Sequence, residues 1–243
     1  MPKFFCISDI HSFYEPMIEV LNSAGFDPAN PEHILLVLGD CLDRGHDSDK
    51  VFDYLNNLKH KILIKGNHEQ LLLDCCERGY PDPHDWHNGT AQTIIDLAPD
   101  AQTFGQACSV VYDKVKPFID NMVNYFETEH YIFVHGWTPV NHNNGIIRFS
   151  KMDNFREATQ QQWDDAMWLC GPDMAMDGYN NTGKTVVFGH WHTSYLWSIK
   201  DGRSEFSDDA KFDIFYGDGF IAIDACTAHS KQVNCLVLED DFI

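Results

Sequence analysis

A repeated pairing limits how this chain can fold: a short apolar run, followed at once by a carboxylate, an imidazole or an amide. Residues 4–7 lead into Asp9 and His11, and residues 34–38 into Gly39, Asp40, Asp43, Arg44 and Gly45. Residues 62–64 lead into Gly66, Asn67, His68 and Glu69. Residues 131–134 lead into His135 and Gly136, and residues 186–188 into Gly189, His190 and His192. The runs are rich in Ile, Val, Leu and Phe, the pattern of strands buried on both faces. Residues 220–223 and 235–238 have the same character. Segments 15–24, 48 to about 58 and 68–78 read as helices. Asp49 suits a first turn and Gly79 a C-terminal stop. The alternation predicts an α/β fold with parallel pairing. Ligands in such sheets bind at the carboxyl ends of strands, so five polar strand ends converge if the strands share one sheet system.

At 243 residues the chain suffices for one large domain, 1–243, with a substantial core. Residues 80–125 are polar and weakly helical, and residues 138–183 hold Asn-rich loops and a helix-like stretch at 153–169. Both read as insertions over the edge of one core. No apolar run is long enough for a membrane span. The start carries one positive charge and a brief apolar stretch, so it reads as a strand and not a signal peptide. A cytoplasmic protein is expected. The 8 cysteines are scattered, with no Cys-x-x-Cys pair, which argues against a zinc knuckle and a disulfide framework. A net charge of −20 repels polyanions, so long nucleic acid is a poor partner.

Carboxylate, imidazole and amide oxygen, without thiolate, suit Mn²⁺, Fe²⁺ or Zn²⁺. Two ions about 3.5–4 Å apart need roughly six or seven protein ligands, one of them a bridging carboxylate. Asp9, His11, Asp40, Asn67, His135, His190 and His192 supply that number. Singly, each has an ordinary use: Asp9 as a helix cap, Asp40 and Asp43 in a turn, His68 and His135 as buried histidines. Jointly, those uses would require five coincidences at five strand ends.

The blocks Asp9-Ile10-His11, Gly39-Asp40-Cys41-Leu42-Asp43-Arg44-Gly45, Gly66-Asn67-His68-Glu69, His135-Gly136 and Gly189-His190-Trp191-His192 stand in an order that resembles the calcineurin-like metallophosphoesterases. The Asp-Arg-Gly ending and the Gly-Asn-His-Glu block resemble the serine/threonine phosphoprotein phosphatase branch, with its bacterial members and the diadenosine tetraphosphate hydrolases. The resemblance implies a four-layer α-β-β-α sandwich with helical and loop insertions. It implies two divalent ions, manganese foremost, with iron or zinc compatible. Asp9, His11 and Asp40 would bind the first ion, and Asp40, Asn67, His135 and His190 the second, with Asp40 bridging. A hydroxide shared by the ions would attack phosphorus. His68 would be the general acid, Asp43 its orienting partner, and Arg44 a phosphate clamp, with Asn67 also facing the substrate.

Four positions depart from the family pattern. Ser12 replaces glycine, and Trp137 follows His135-Gly136. His192 matches only the wider superfamily. Trp168-Leu169-Cys170 stands where the family has Trp-x-Arg, so a second phosphate-binding arginine is absent, with Arg148 or Arg156 the nearest candidates to replace it. Trp163 and Trp168 read as core, and His84 and His87 as exposed. The expected activity is metal-dependent hydrolysis of a phosphomonoester, either phosphoserine or phosphothreonine on a protein or a small molecule. A diadenosine tetraphosphate-type pyrophosphohydrolase or phosphodiesterase is the alternative. A non-catalytic metal-binding relative has only the missing arginine in its favour.

Overall fold

The computed structural model describes residues 2–143 and 148–243. Strands β1 (Lys3–Ile7), β2 (His33–Leu38) and β3 (Lys61–Ile64) lie side by side and parallel. A second sheet begins with β4 (Phe126–Glu127), antiparallel to β5 (Tyr131–Phe133). A hairpin of β6 (Val140–His142) and β7 (Phe149–Lys151) follows. The second sheet continues with β8 (Thr185–Phe188), β9 (Phe215–Gly217) and β10 (Phe220–Ala222), in the order β4-β5-β8-β10-β9. Strand β11 (Leu236–Glu239) returns to close the first sheet, antiparallel to β1.

Register explains the layers. Leu236, Cys6, Leu36 and Ile62 are aligned across the first sheet, and Phe133, Val187 and Ile221 across the second. Both rows enter one shared core between the sheets. Neighbouring positions point the other way, because strand side chains alternate. Phe5, Leu35 and Val37 therefore meet helices on the outer face of the first sheet, and Ile132, Val186 and Phe220 do so on the second. The result is four layers, helix–sheet–sheet–helix. Burying one such Leu or Ile contributes about 1.5–3 kcal/mol.

The first helical layer is α1 (Tyr14–Ala24), α2 (Ser48–Asn57), α3 (Asn67–Arg78), α4 (Pro83–Asn88), α5 (Thr90–Leu97) and α6 (Phe104–Asp120). Gly79 ends α3 at φ 77°, a conformation in which glycine has no Cβ clash. Asp82 caps α4 by accepting from His84 and Asp85 amides, and Thr103 caps α6 through Gln106. Residues 83–120 look polar when read along the chain, yet Ile94, Leu97, Val111, Val115, Phe118 and Ile119 all turn inward. Helical periodicity gathers scattered apolar residues onto one face.

The second helical layer holds α7 (Gln160–Ala166), α8 (Gly171–Met176) and α9 (Thr193–Asp201). The helix-like stretch at 153–169 is a 3₁₀ turn followed by α7, because Thr159 and Gln162 form a capping box that starts a new helix. A short α10 (Thr227–Ser230) follows β10. Among the described residues, no helix is long and apolar enough to cross a membrane.

Candidate metal centre

The carboxyl ends of β1, β2, β3, β5, β8 and β10 meet at one edge of the two sheets, and their loops are joined backbone to backbone. The Asp9 amide donates to Gly39, the His11 amide to Asp40 and the Gly189 amide to His135. Among the described residues, nine that are not glycine have positive φ, and six of these are Asp9, His11, Asp40, Asp43, Arg44 and His190. Such backbone costs roughly 1–3 kcal/mol per residue and persists where the surroundings over-determine it. Gly39, at φ 83°, shows why the turn after β2 takes no side chain: a Cβ there would lie 2.6 Å from His135 Nδ1. Glu69 fastens the same turn. Its buried carboxylate accepts from the Asp40, Cys41 and Gly66 amides at 3.0, 2.8 and 2.8 Å.

Asp40 is the centre of the arrangement. His11, Asp40 and His68 present ligand atoms within 4.8 Å of one another, and so do Asp40, His135 and His190. One carboxylate shared by two clusters is the geometry of a bridge between two ions. His135 Nδ1–H donates to the Leu38 carbonyl at 2.7 Å, and His11 Nδ1–H to the Leu42 carbonyl at 3.1 Å. These bonds orient both rings so that Nε2 faces Asp40, at 3.3 Å for His135 and 3.8 Å for His11. Asn67 Oδ1 lies 2.9 Å from His135 Nε2. Asp9 Oδ2 accepts from the His190 amide at 2.9 Å and from the Ser8 hydroxyl.

The buried charges call for cations. Burial alone would raise the Asp40 carboxyl, but the imidazoles of His135, His68, His11 and His190 hold it well below the carboxylate range. Burial and then Asp40 raise Asp9, against the pull of His135, and burial and then Asp9 raise Asp224. Burial, followed by His135, pushes His190 down to about 3, so its ring is neutral and has a lone pair to offer. Several buried carboxylates facing buried imidazoles are a donor set that fits divalent ions, since a buried charge needs a partner.

Beside these clusters stands a buried His–Asp pair. His68 Nδ1–H donates to Asp43 Oδ2 at 2.8 Å, leaving Nε2 toward the pocket, 3.3 Å from Arg44 Nη2. Burial alone would lower His68, but Asp40 and the bond to Asp43 raise it to about 9. Thr90, at the start of α5, donates its hydroxyl to the same Asp43 Oδ2 at 2.6 Å. The pocket measures about 40 Å³ and is lined by Asp9, Asp40, Arg44, His68, His190 and Asp224, among others.

Asp9, His11, Asp40, Asp43, Arg44, Asn67, His68, His135 and His190 are thus brought together. His192 lines the pocket, but its Nδ1 lies 3.1 Å from Glu205 Oε1 and it joins neither cluster around Asp40. Arg148 is exposed just before β7, where its carbonyl accepts from the Asn143 amide, and is not among the pocket's lining residues. Arg156 is committed to Glu127 through Nε and Nη2. Cys170 caps α8, and burial pushes its thiol up to about 12, so it supplies no charge. Trp163 is core, whereas Trp168 is half exposed beside His190, contrary to its reading as a core residue. Asp224 and Thr90 were not singled out along the sequence, and Glu69 stood in the Gly66-Asn67-His68-Glu69 block without a role of its own. Asp224 had a usable signal, since it follows β10 as Asp9 follows β1.

Fold and site define a metal-dependent phosphoesterase with a buried binuclear His/Asp centre. The chain belongs to the calcineurin-like phosphoesterase family, whose profile matches residues 2–194. It is 38% identical over 70 residues to the symmetrical bis(5'-nucleosyl)-tetraphosphatase of Buchnera aphidicola, covering 28% of this chain and 25% of that protein. It is 31% identical over 72 residues to the zinc-dependent endopolyphosphatase of Saccharomyces cerevisiae, covering 29% of this chain and 22% of that one. These matches span about a quarter of each relative. The cold-active protein-tyrosine phosphatase of a psychrophilic Shewanella shares the fold at TM-score 0.57 and 15% identity, covering 98% of this chain and 76% of that chain.

Proposed function

We propose that the chain hydrolyses a phosphomonoester, either phosphoserine or phosphothreonine on a protein or a small phosphate ester, with manganese as the working metal. The observation that carries this reading is the Asp43–His68–Arg44 array set against the Asp40 clusters. Asp9, His11, Asp40, Asn67, His135 and His190 would hold the divalent ions, whose chemistry there would be to activate water at neutral pH and offset phosphoryl charge. Arg44 Nη2 is placed to hold a phosphoryl oxygen, and Asn67 to face the same group. His68 Nε2–H gives its proton to the leaving oxygen, and Asp43 keeps the ring's Nδ1–H turned away from the pocket. A binding protein has no need of a proton donor so oriented.

A second reading is hydrolysis of a dinucleoside polyphosphate, favoured by the short match to a bis(5'-nucleosyl)-tetraphosphatase. The net charge of −20 disfavours long nucleic acid under either reading, and a cytoplasmic location is proposed with both. The test is hydrolysis of p-nitrophenyl phosphate, its bis ester, phosphopeptides and diadenosine tetraphosphate with Mn²⁺ added. Turnover of the bis ester or the dinucleotide above the monoesters would reverse the order of the two readings.

A further inference from the structure

Tryptophan is bulky and mostly apolar, and it is usually well covered. At the end of α7 and in the turn after it, Ala166, Met167 and Leu169 are 1%, 7% and 9% exposed, whereas Trp168 among them is 48% exposed. The largest side chain of the turn is the one facing out. Its ring stands edge-on to His190 with centroids 6.3 Å apart, and it meets no other ring among the described residues. Trp191, 40% exposed, lies 6.2 Å from the same histidine, and both indoles stand next to the pocket-lining His190 without lining the pocket themselves. It leans on His192 and Tyr195 at 6.3 and 6.4 Å.

Both indoles have firm seats. The Trp137 amide donates to the Ala166 carbonyl at 3.1 Å, docking the turn on the loop that carries His135. A Cβ on Gly136 would lie 2.6 Å from that carbonyl, so only glycine allows the approach. The Trp191 amide donates to Gly189 at 2.7 Å, and Trp191 itself lies between His190 and His192. Meanwhile the chain's net charge of −20 works against binding a dianion by charge alone. Contact with an uncharged ring is indifferent to that charge.

We propose that Trp168 and Trp191 form an aromatic platform beside His190 that selects phosphoesters carrying a planar ring near the phosphorus. The proposal rests on the phosphoesterase reading above and names the substrate class for that site. Both tryptophans are positioned to contact the ring and take no part in the chemistry.

The test is calorimetry on the full Mn²⁺-loaded chain with phenylphosphonate and methylphosphonate. Neither is hydrolysed, so leaving-group chemistry does not enter. Wild type is expected to bind phenylphosphonate about threefold to tenfold more tightly. Trp168→Leu should bring the two ligands together, and Trp168→Phe should keep most of the difference. Equal binding by wild type overturns the proposal without any substitution, and so does a preference that survives Trp168→Leu with Trp191→Leu. Adenosine 5'-monophosphate against ribose 5-phosphate, and O-phosphotyrosine against O-phosphoserine, separate a nucleobase from a side-chain ring as the source. Hydrolysis of p-nitrophenyl phosphate by the same sample is scored separately. Its absence would sink the phosphoesterase reading, while a ring preference in binding would still stand.

Discussion

His135 Nε2 lies 2.9 Å from Asn67 Oδ1, while its other ring nitrogen is committed to the Leu38 carbonyl. In the neutral ring both facing atoms carry lone pairs, and Asp40 Oδ1 adds a third acceptor at 3.3 Å from the same nitrogen. A divalent ion among them, in place of the proton that, against the pull of burial, Asp40 and Asp9 draw onto this ring, reconciles the three. The purified chain is therefore expected to carry two divalent ions, to lose all phosphatase activity on chelation and to regain it with Mn²⁺. Elemental analysis of an active sample decides the point, and activity without metal would contradict it.

Asp40 touches both clusters, whereas His192 pairs with Glu205. Asp40→Asn should therefore remove more metal and more activity than His192→Ala. Equal losses of bound metal in the two variants would argue against Asp40 as the bridge.

His68→Asn is expected to lower kcat by about 10²–10⁴-fold with metal content intact, as for a lost general acid. The loss should shrink for nitrophenolate, which leaves without much protonation. A loss independent of leaving-group pKa would rule out the acid role.

Thr90 shares Asp43 Oδ2 with His68. Thr90→Val should cost about tenfold in kcat with KM little changed, since a partner that orients an active group is typically worth that much. Thr90→Ser should restore most of the rate. A Val variant with wild-type kcat, or a Ser variant no better than Val, would show that the hydroxyl does not orient the pair.

Arg44 Nη2 stands 3.3 Å from His68 Nε2, and Arg148 lies outside the pocket lining. A charge-assisted hydrogen bond contributes about 1.5–3 kcal/mol, so Arg44→Ala should weaken inhibition by inorganic phosphate at least about tenfold. Arg148→Ala should leave the inhibition constant unchanged. An equal effect of the two substitutions would place Arg148 at the phosphate.

Away from the centre, His130 Nδ1–H donates to Asp240 Oδ1 at 2.7 Å, tying the β4–β5 turn to the C-terminal segment. The bond to Asp240 raises His130 above its ordinary 6.5. Burial alone would raise Asp240, but His130 brings it down to about 2 from 3.8. The histidine's contribution is complete below 6.5 and fades as pH rises through the raised value. The carboxylate's contribution is complete above 3.8 and fades as pH falls through about 2. His130→Gln should thus lower Tm at about pH 5.5 and match wild type near about pH 10. A pH-independent difference in melting would show that the ion pair is not its source.

Much of this protein was legible along the chain because its candidate ligands follow strands at fixed, local offsets. An apolar run of Ile, Val and Leu marks a buried strand whatever surrounds it, and the residue after it must emerge at the sheet edge. Asp9, Asp40, Asn67, His135 and His190 were found in that way, and so were β1, β2, β3, β5, β8, β10 and β11 to within a residue or two. The helical layer of residues 83–120 was not, because its inward residues are spread thinly through polar sequence and only packing selects the face. What only the tertiary structure decided was contact between distant segments: Thr90 on Asp43, Glu69 under the Asp40 turn, Asp224 beside Asp9, and Arg156 taken by Glu127. Trp168 is the clearest case. Its neighbours in sequence are buried and its residue type is usually core, yet docking of the turn on Gly136 leaves the ring in solvent beside His190. Local sequence dictates which residues end a strand. Where a side chain points after a turn depends on the surface that the turn packs against, and no pattern within the turn encodes it.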